Sequence, residues 1–224
     1  MKFNILTLFP EMIESYCGFI ILKRARENNI IEINVINPRD FTHDKHKKVD
    51  DTPYGGGAGM VLKVEPYVEA FESLKMKGKS LVVMLTPQGE KFNEKLVNEL
   101  SEYDELTLLC GHYEGFDERI RNIIKPREIS LGDFVLTGGE LAALCLIDSV
   151  SRKIEGTLGK LESAHTDSFA NGLLEFPQYT KPREFRGYKV PEVLLNGNHK
   201  EIENFRREES LKRTKLRRPD LLQN

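Results

Sequence analysis

Two short apolar runs that end in glycine-bearing turns constrain the fold of this chain more than any other feature. Residues 81–85 and 106–110 are almost free of polar side chains, which is typical of parallel strands buried on both faces. Glycines follow at 111 and again at 138–139. Glycine lets a ligand approach bare backbone at a strand end. The pattern predicts a ligand pocket made of loops.

Strand and helix patterns alternate over residues 1–155, which indicates an α/β fold with a largely parallel sheet. Ligands in such sheets bind beyond the carboxyl ends of the strands, so the turns at 86–89, 111–115 and 131–136 are expected to line one crevice. The spacing predicts strands over 2–9, 30–36, 80–85 and 105–110, and helices over 12–26, 64–77, 92–100, 117–124 and 138–150.

Composition limits the class of protein. With 224 residues, 39% hydrophobic and 30% charged, the chain has enough apolar residues for one large domain and a small one. No apolar run approaches the roughly 20 residues of a membrane helix, and the N-terminus lacks a signal peptide pattern. Cys17, Cys110 and Cys145 form no CxxC pair, so buried free thiols in a reducing cytoplasm are expected rather than a zinc site or disulfides.

Charge is distributed unevenly along the chain. Residues 181–224 hold 12 Lys and Arg against 7 Asp and Glu, a net charge of +5, whereas the remainder carries −7. The densest basic stretch, 211–218, has five bases and no acid. A solvated helix face explains such a stretch alone, but a basic tail on an acidic body favours contact with nucleic acid.

Common catalytic motifs are missing from the sequence. The glycine-rich residues 55–59 are followed by Met60 rather than Gly-Lys-Ser/Thr, so they are not a P-loop, and a turn-rich hairpin is as plausible as a ligand contact. No GxSxG nucleophile elbow occurs. His43, Asp44 and His46 suggest a metal, but the lysines between and after them favour a solvated or RNA-facing loop.

The sequence changes character after residue 156. Residues 163–171 are small, polar and aperiodic, which predicts a flexible linker or lid. A helix is predicted over 199–211, with Asn198 as its N-cap. The C-terminal region is too small to bury much core by itself.

Ten segments together resemble one family, the bacterial tRNA (guanine-N1)-methyltransferases, which modify guanine 37, 3′ of the anticodon. The segments run in family order from end to end, with near-family spacing. They are LFPEM (8–12), PRDFTHDKH (38–46), VDDTPYGGGAGM (49–60), LTPQG (85–89), CGHYEGFDERI (110–120), SLGDFVLTGGE (130–140), LIDSVSR (146–152), DSFANGLLEFPQYTKP (167–182), VPEVLLNGNH (190–199) and RRPDLL (217–222).

The resemblance implies a fold that the residue pattern does not. Members are SPOUT-type enzymes whose α/β domain contains a deep trefoil knot, followed by a small helical domain, and they act as homodimers with the active site at the subunit interface. The pattern alone would predict an unknotted sheet, because knots are rare. The implied domains are a knotted methyltransferase domain at 1–160, a linker at 161–176 and a tRNA-binding helical domain at 177–224.

The family cofactor is S-adenosylmethionine, held by the knot loops. Glu114 also matches a family position tied to a Mg²⁺ requirement, and the chain departs from common family residues at Met84, His112, Phe134 and Ala142. The residues that the resemblance assigns to the cofactor are Leu85, Thr86, Pro87, Gln88, Gly111, Tyr113, Glu114, Ser130, Leu131, Gly132, Asp133, Phe134, Val135, Leu136, Gly138 and Gly139.

Catalysis is assigned by similarity to Asp167 and Arg152. Guanine N1 carries a proton that a base must remove, the role implied for Asp167. Negative charge then grows on O6, where a fixed cation such as Arg152 stabilises it. Rival readings are a solvent-exposed acid for Asp167 and a helix C-terminal charge for Arg152.

Two other functions stay open at this point: a knotted enzyme that methylates a ribose 2′-hydroxyl or another base, and a non-catalytic RNA-binding module. Asp167 favours a ring-nitrogen target over a ribose. The linker around Asp167 is expected to be disordered without tRNA. Tail bases would contact phosphates, namely Lys181, Arg183, Arg213, Arg217 and Arg218.

Overall fold

The computed structural model describes residues 1–158 and 167–223. The chain divides into two compact units, Met1–Gly159 and Lys160–Asn224, and each is described by itself. Residues 161–166 of the predicted linker lie outside the described residues. Within the described ranges, no helix is both long and apolar enough to cross a membrane.

A five-stranded parallel sheet forms the centre of the first unit, which confirms the predicted α/β class. The strand order is β2-β1-β6-β5-β7, and every neighbouring pair is parallel. All six residues of the central strand β6 are buried, as its apolar sequence predicts. The strands are β1 (Lys2–Leu6), β2 (Glu32–Ile36), β5 (Ser80–Lys91), β6 (Glu105–Cys110) and β7 (Arg127–Ser130), and a separate antiparallel pair joins β3 (Asp50–Asp51) to β4 (Val61–Leu62).

Helices cover both faces of this sheet, so the unit has three layers. Successive β6 residues point to opposite faces: Leu108 packs with α1, α2, α4 and α6 residues, and Leu109 with α3 and α5 residues. The helices are α1 (Pro10–Cys17), α2 (Ile20–Glu27), α3 (Val64–Glu72), α4 (Glu94–Leu100), α5 (Glu118–Ile124) and α6 (Glu140–Ser151), with a 3-10 turn at Pro38–Phe41.

Several predicted boundaries were wrong. The predicted helix over 12–26 is two helices, because the chain turns after Gly18 and Phe19 is extended at φ −113° and ψ 149°. The predicted strand over 80–85 continues to residue 91. Leu85 and Glu90 both pair with Ile129, so residues 86–89 bulge out of the ladder rather than ending the strand. The predicted helix over 64–77 ends at Glu72.

The second unit contains a small hairpin and one long helix. Strands β8 (Glu184–Phe185) and β9 (Tyr188–Lys189) are antiparallel. Helix α7 (His199–Arg217) is longer than predicted, and the Asn198 side chain accepts a hydrogen bond from Glu201 N–H at its start, as expected of an N-cap. Thr214 accepts a hydrogen bond from Leu174 N–H at 2.9 Å, which ties α7 to the preceding segment. Short 3-10 turns occur at Glu192–Leu194 and Pro219–Leu222.

A buried polar network fixes the amino end of the sheet. Asn4 Nδ2 donates to Glu105 Oε1 at 2.6 Å and to Thr107 Oγ1 at 3.3 Å. The other Glu105 oxygen accepts from Lys77 N–H at 2.9 Å, and Asn4 Oδ1 accepts from Asn34 at 2.8 Å. A buried carboxylate requires such donors, so Asn4 holds three strands in register.

Replacing Asn4 with Leu should lower the free energy of unfolding by about 3 kcal/mol, because it leaves the Glu105 carboxylate buried with fewer donors. Urea denaturation measures the change. Glu32→Gln is the control: Glu32 pairs with Lys2 on the surface, so this change should have an effect below about 1 kcal/mol. Equal effects of the two variants would contradict the role given to Asn4.

Candidate cofactor-binding site

A cleft of about 440 Å³ lies in the first unit beyond the carboxyl end of β6, between the loops that follow β6 and β7 and the β5 bulge. Its size is typical of a small-molecule site. The lining residues are Leu85, Thr86, Pro87, Gln88, Gly111, His112, Tyr113, Glu114, Gly115, Phe116, Glu118, Arg121, Ile129, Ser130, Leu131, Phe134, Val135, Leu136, Thr137, Gly138, Gly139 and Ala142.

The cleft brings together the three turns that the sequence placed in one crevice. Of the residues assigned to the cofactor by resemblance, all line it except Gly132 and Asp133. Asp133 is instead directed to the surface, where its carboxylate pairs with Lys91 Nζ at 2.6 Å. Whether the lining residues bind the cofactor remains a prediction.

Sequence reasoning missed several lining residues. Thr137 lies directly beside a predicted turn, so a wider window would have included it. Arg121 and Ala142 lie on helices, and nothing in their local pattern indicates a pocket. The other missed residues are Phe116, Glu118 and Ile129.

Backbone contacts at Gly139 join two walls of the cleft. Gly139 N–H donates to Gly111 O at 2.8 Å, and His112 forms a β-bridge with Gly138. A Cβ at Gly139 would lie 2.8 Å from Cys110 Cα and 2.9 Å from Gly111 N. No side chain fits there, so glycine is required for α6 to begin directly beside the end of β6.

The rim of the cleft has the strain and exposed apolar surface of a binding site. Tyr113 has a left-handed backbone at φ 57°, which is costly for a non-glycine residue and recurs at functional sites. Val135 is 83% exposed and Phe134 55% exposed. A bound molecule with an apolar ring system would cover these side chains.

None of the three cysteines, all of which lie in the described ranges, lines this cleft. Burial raises the pKa of Cys110 well above its ordinary value, and the Glu140 carboxylate adds to the effect. Burial also raises the pKa of Cys17 to about 11. Both thiols are buried as expected, but Cys145 is exposed, so the prediction was wrong for this residue: it faces outward from α6.

Carboxylates near the cleft mostly serve as helix caps or hydrogen-bond acceptors. Asp117 caps α5 by accepting from Arg119 N–H at 2.9 Å, and the Arg119 guanidinium lowers the pKa of Asp117. Asp148 accepts from the Tyr16 hydroxyl at 2.8 Å. Glu140 accepts from Thr7 at 2.7 Å.

No group of three or more His, Cys, Asp or Glu side chains within residues 1–158 and 167–223 is arranged to hold a metal ion. Asp44 uses its two oxygens to accept from His46 and Lys48 N–H, and His43 contacts Glu69. Glu114 lines the cleft, and its backbone N–H donates to Met60 O at 3.0 Å. Its predicted link to Mg²⁺ stays a prediction.

The two predicted catalytic residues lie in different units. Arg152 follows α6 in the first unit, where its N–H donates to Asp148 O at 3.2 Å. Asp167 lies in the second unit, in a turn where its carbonyl accepts from Ala170 N–H at 3.2 Å. Each residue has a further interaction within the molecule.

A parallel sheet whose strand ends carry a cleft of bare backbone and apolar rings defines an α/β protein with a cleft of small-molecule size. The sequence model of the tRNA (Guanine-1)-methyltransferase family matches residues 1–224. The chain therefore belongs to this family of RNA-modifying enzymes.

Individual relatives agree with this assignment. The three described here are each named tRNA (guanine-N(1)-)-methyltransferase. The relative from Carboxydothermus hydrogenoformans is 56% identical over 99% of this chain and 87% of its own length. The relative from Dehalococcoides mccartyi is 55% identical over 100% of this chain and 91% of its own. That from Halalkalibacterium halodurans is 54% identical over 100% and 92%.

Replacing Gly139 with Ala should weaken binding of S-adenosylmethionine at least about tenfold, because the added methyl group forces the 110–111 backbone away from α6. Isothermal titration calorimetry measures the affinity. Gly18→Ala adds the same methyl group outside the cleft, next to Glu14 O, and should leave affinity unchanged. Wild-type affinity in the Gly139→Ala variant would contradict this requirement, because the cofactor would then bind equally well with the start of α6 farther from the end of β6.

Proposed function

We propose that the protein transfers a methyl group from S-adenosylmethionine to N1 of guanine 37 in tRNA, in the bacterial cytoplasm. The observation that carries the proposal is the cleft itself. In a chain of this family, the three family-matched turns converge on one small-molecule site at the strand ends.

S-adenosylmethionine fits the chemistry of the cleft. Residues 85–88 and 134–136 offer apolar side chains for its adenine, and the peptide groups of 111–115 and 137–139 offer donors and acceptors for its polar groups. When bound, it supplies a methyl group on a positively charged sulfur, which makes that carbon electrophilic. We further propose that the turns around the cleft form the family's trefoil knot.

Asp167 and Arg152 are proposed to act on the guanine. The Asp167 carboxylate takes the N1 proton, which frees the nitrogen lone pair for attack on the methyl carbon. The sulfur keeps the electron pair of its broken bond to that carbon, so S-adenosylhomocysteine is the other product. Arg152 faces O6 and stabilises the negative charge that develops there. Glu114 is proposed to serve the family's Mg²⁺ requirement, and no step is assigned to the metal.

A homodimer is proposed to complete the active site. Exposed apolar side chains on and beside α1 and α6 support it, since these two helices pack together in the first unit and Tyr16 of α1 bonds Asp148 of α6. Such a patch marks an interaction surface. Its members and their exposures are Met12 40%, Tyr16 46%, Phe19 64%, Ile20 79% and Leu141 51%.

The second unit is proposed to hold the tRNA through its bases. Lys181, Arg183, Arg213 and Arg217 are the bases best suited to phosphate contacts, which position RNA without reading its sequence. Arg218, also predicted, pairs with Asp220 at 2.7 Å, so a phosphate would have to replace that carboxylate. The pocket that receives the flipped guanine is proposed to recognise the base.

Incubation of unmodified tRNA with labelled S-adenosylmethionine should yield 1-methylguanosine after digestion to nucleosides. Asp167→Ala should abolish single-turnover methylation, because no base removes the N1 proton, while cofactor affinity measured by calorimetry stays unchanged. Glu203→Ala, which removes an exposed acid of the second unit, is the control and should leave methylation unchanged. A labelled 2′-O-methylnucleoside without 1-methylguanosine would support the ribose-methylating alternative, and tRNA binding without cofactor binding would support a non-catalytic module.

A Phe19→Asp, Ile20→Asp double variant should dissociate the dimer, because two carboxylates cannot be buried unpaired at an apolar interface. Sedimentation velocity reports the mass. Ile123→Asp places the same charge at a 54% exposed position on α5 and should leave the mass unchanged. A wild-type protein that sediments as a monomer at micromolar concentration would contradict the dimer.

A further inference from the structure

Glu140, a buried carboxylate at the first position of α6, connects separate walls of the cleft. It is 3% exposed, and Thr7, which follows β1, is fully buried. The Thr7 hydroxyl donates to Glu140 Oε1 at 2.7 Å, and its oxygen accepts from Phe9 N–H at 3.0 Å. Since the hydroxyl has one hydrogen and directs it to Glu140, the carboxylate ties the end of β1 to the start of α6.

The second oxygen of Glu140 and His112 Nδ1 border the same space beside Gly138. A Cβ at Gly138 would lie 2.3 Å from Glu140 Oε2 and 2.7 Å from His112 Nδ1, so both atoms occupy space that a side chain at 138 would fill. His112 Nδ1 is buried without a hydrogen-bond partner among the described residues. A buried ring nitrogen normally has a partner, and Glu140 Oε2 is an acceptor that borders the same space.

The His112 ring forms part of the cleft wall and packs against two other aromatic rings. It lines the cleft and packs against Phe9 at 5.0 Å and Tyr113 at 4.8 Å between ring centroids. Its backbone forms the bridge with Gly138. A small shift of this ring therefore moves the 111–115 turn relative to α6.

We propose that Glu140 is a positioning residue of the cofactor cleft, which accepts the hydrogen bond from Thr7 and, with the cofactor bound, a second one from His112 Nδ1–H, and thereby fixes the 111–115 turn against β1 and α6. With its hydrogen on Nδ1, the imidazole keeps Nε2 as its acceptor nitrogen. The proposal rests on S-adenosylmethionine binding in this cleft.

A carboxylate suits this position better than an amide. Thr7 and His112 both present donors, and a Gln at 140 has one acceptor oxygen, so its NH₂ group would oppose one of them. The N-terminus of the 12-residue helix α6 further favours a negative charge at its first residue.

Glu140→Gln should raise the Kd for S-adenosylhomocysteine about tenfold in calorimetry, while kcat at saturating cofactor and tRNA stays within about twofold, because the reacting groups are untouched. Thr7→Val removes the hydroxyl at equal size and should behave the same way. Thr7→Ser keeps the hydroxyl and should restore the wild-type Kd.

A pair of substitutions at His112 tests the second hydrogen bond. His112→Asn places an amide N–H near the Nδ1 position and should bind within about threefold of wild type, whereas His112→Gln places it near Nε2 and should match Glu140→Gln. If Glu140→Gln does not fold, this pair decides the question, because His112 is only partly buried.

Equal affinity of the two His112 variants, or a lower melting temperature with unchanged Kd in the Glu140 and Thr7 variants, would overturn the proposal and leave Glu140 a purely structural residue. Failure of the wild-type protein to bind S-adenosylhomocysteine would instead contradict the proposed function.

Discussion

The backbone hydrogen bond from Gly139 N–H to Gly111 O is the contact on which the candidate site depends. It places the start of α6 directly beside the end of β6, at a distance that excludes any Cβ at position 139. Because the sheet is parallel, the bulge of β5 and the end of β7 reach the same edge. Three loops therefore meet at one place and line the cleft.

Buried polar groups hold β1 at its middle and just beyond its carboxyl end. In the middle of the strand, Asn4 donates to Glu105 of the neighbouring strand. Beyond the carboxyl end, Thr7 donates to Glu140. Polar pairs in a dry interior strongly favour one register, since any shift leaves a donor or a carboxylate unsatisfied. The rigid frame that results is what a site made of loops needs if the loops are to keep their separation.

The sequence was most informative where the pattern was local. The central strand at 105–110 was predicted to the residue, because its apolar run is uninterrupted. The prediction of one helix over 12–26 was wrong because apolar residues on both sides of Gly18 keep helical spacing across the break. Strand β7 was not recognised as a strand of its own, since it is short and begins with Arg127, whose charge is satisfied by Glu90 and Glu99 from other elements. Only tertiary structure supplies those partners.

For the site, too, local sequence patterns were informative and tertiary contacts could not be predicted. Glycine-bearing turns after apolar strands were sufficient to indicate a cleft, but Arg121 and Ala142 enter it through helix packing that no local pattern encodes. The roles of Asp167 and Arg152 came from family resemblance, since an isolated acid or arginine carries no signal of catalysis.

The most direct measurement is a crystal structure of the protein with S-adenosylhomocysteine. The account predicts the ligand between the turns at 85–88, 111–115 and 131–139, with its polar groups bonded to their peptide groups. A ligand bound elsewhere on the chain, or held in the cleft only by long side chains with the Gly139–Gly111 bond broken, would contradict it.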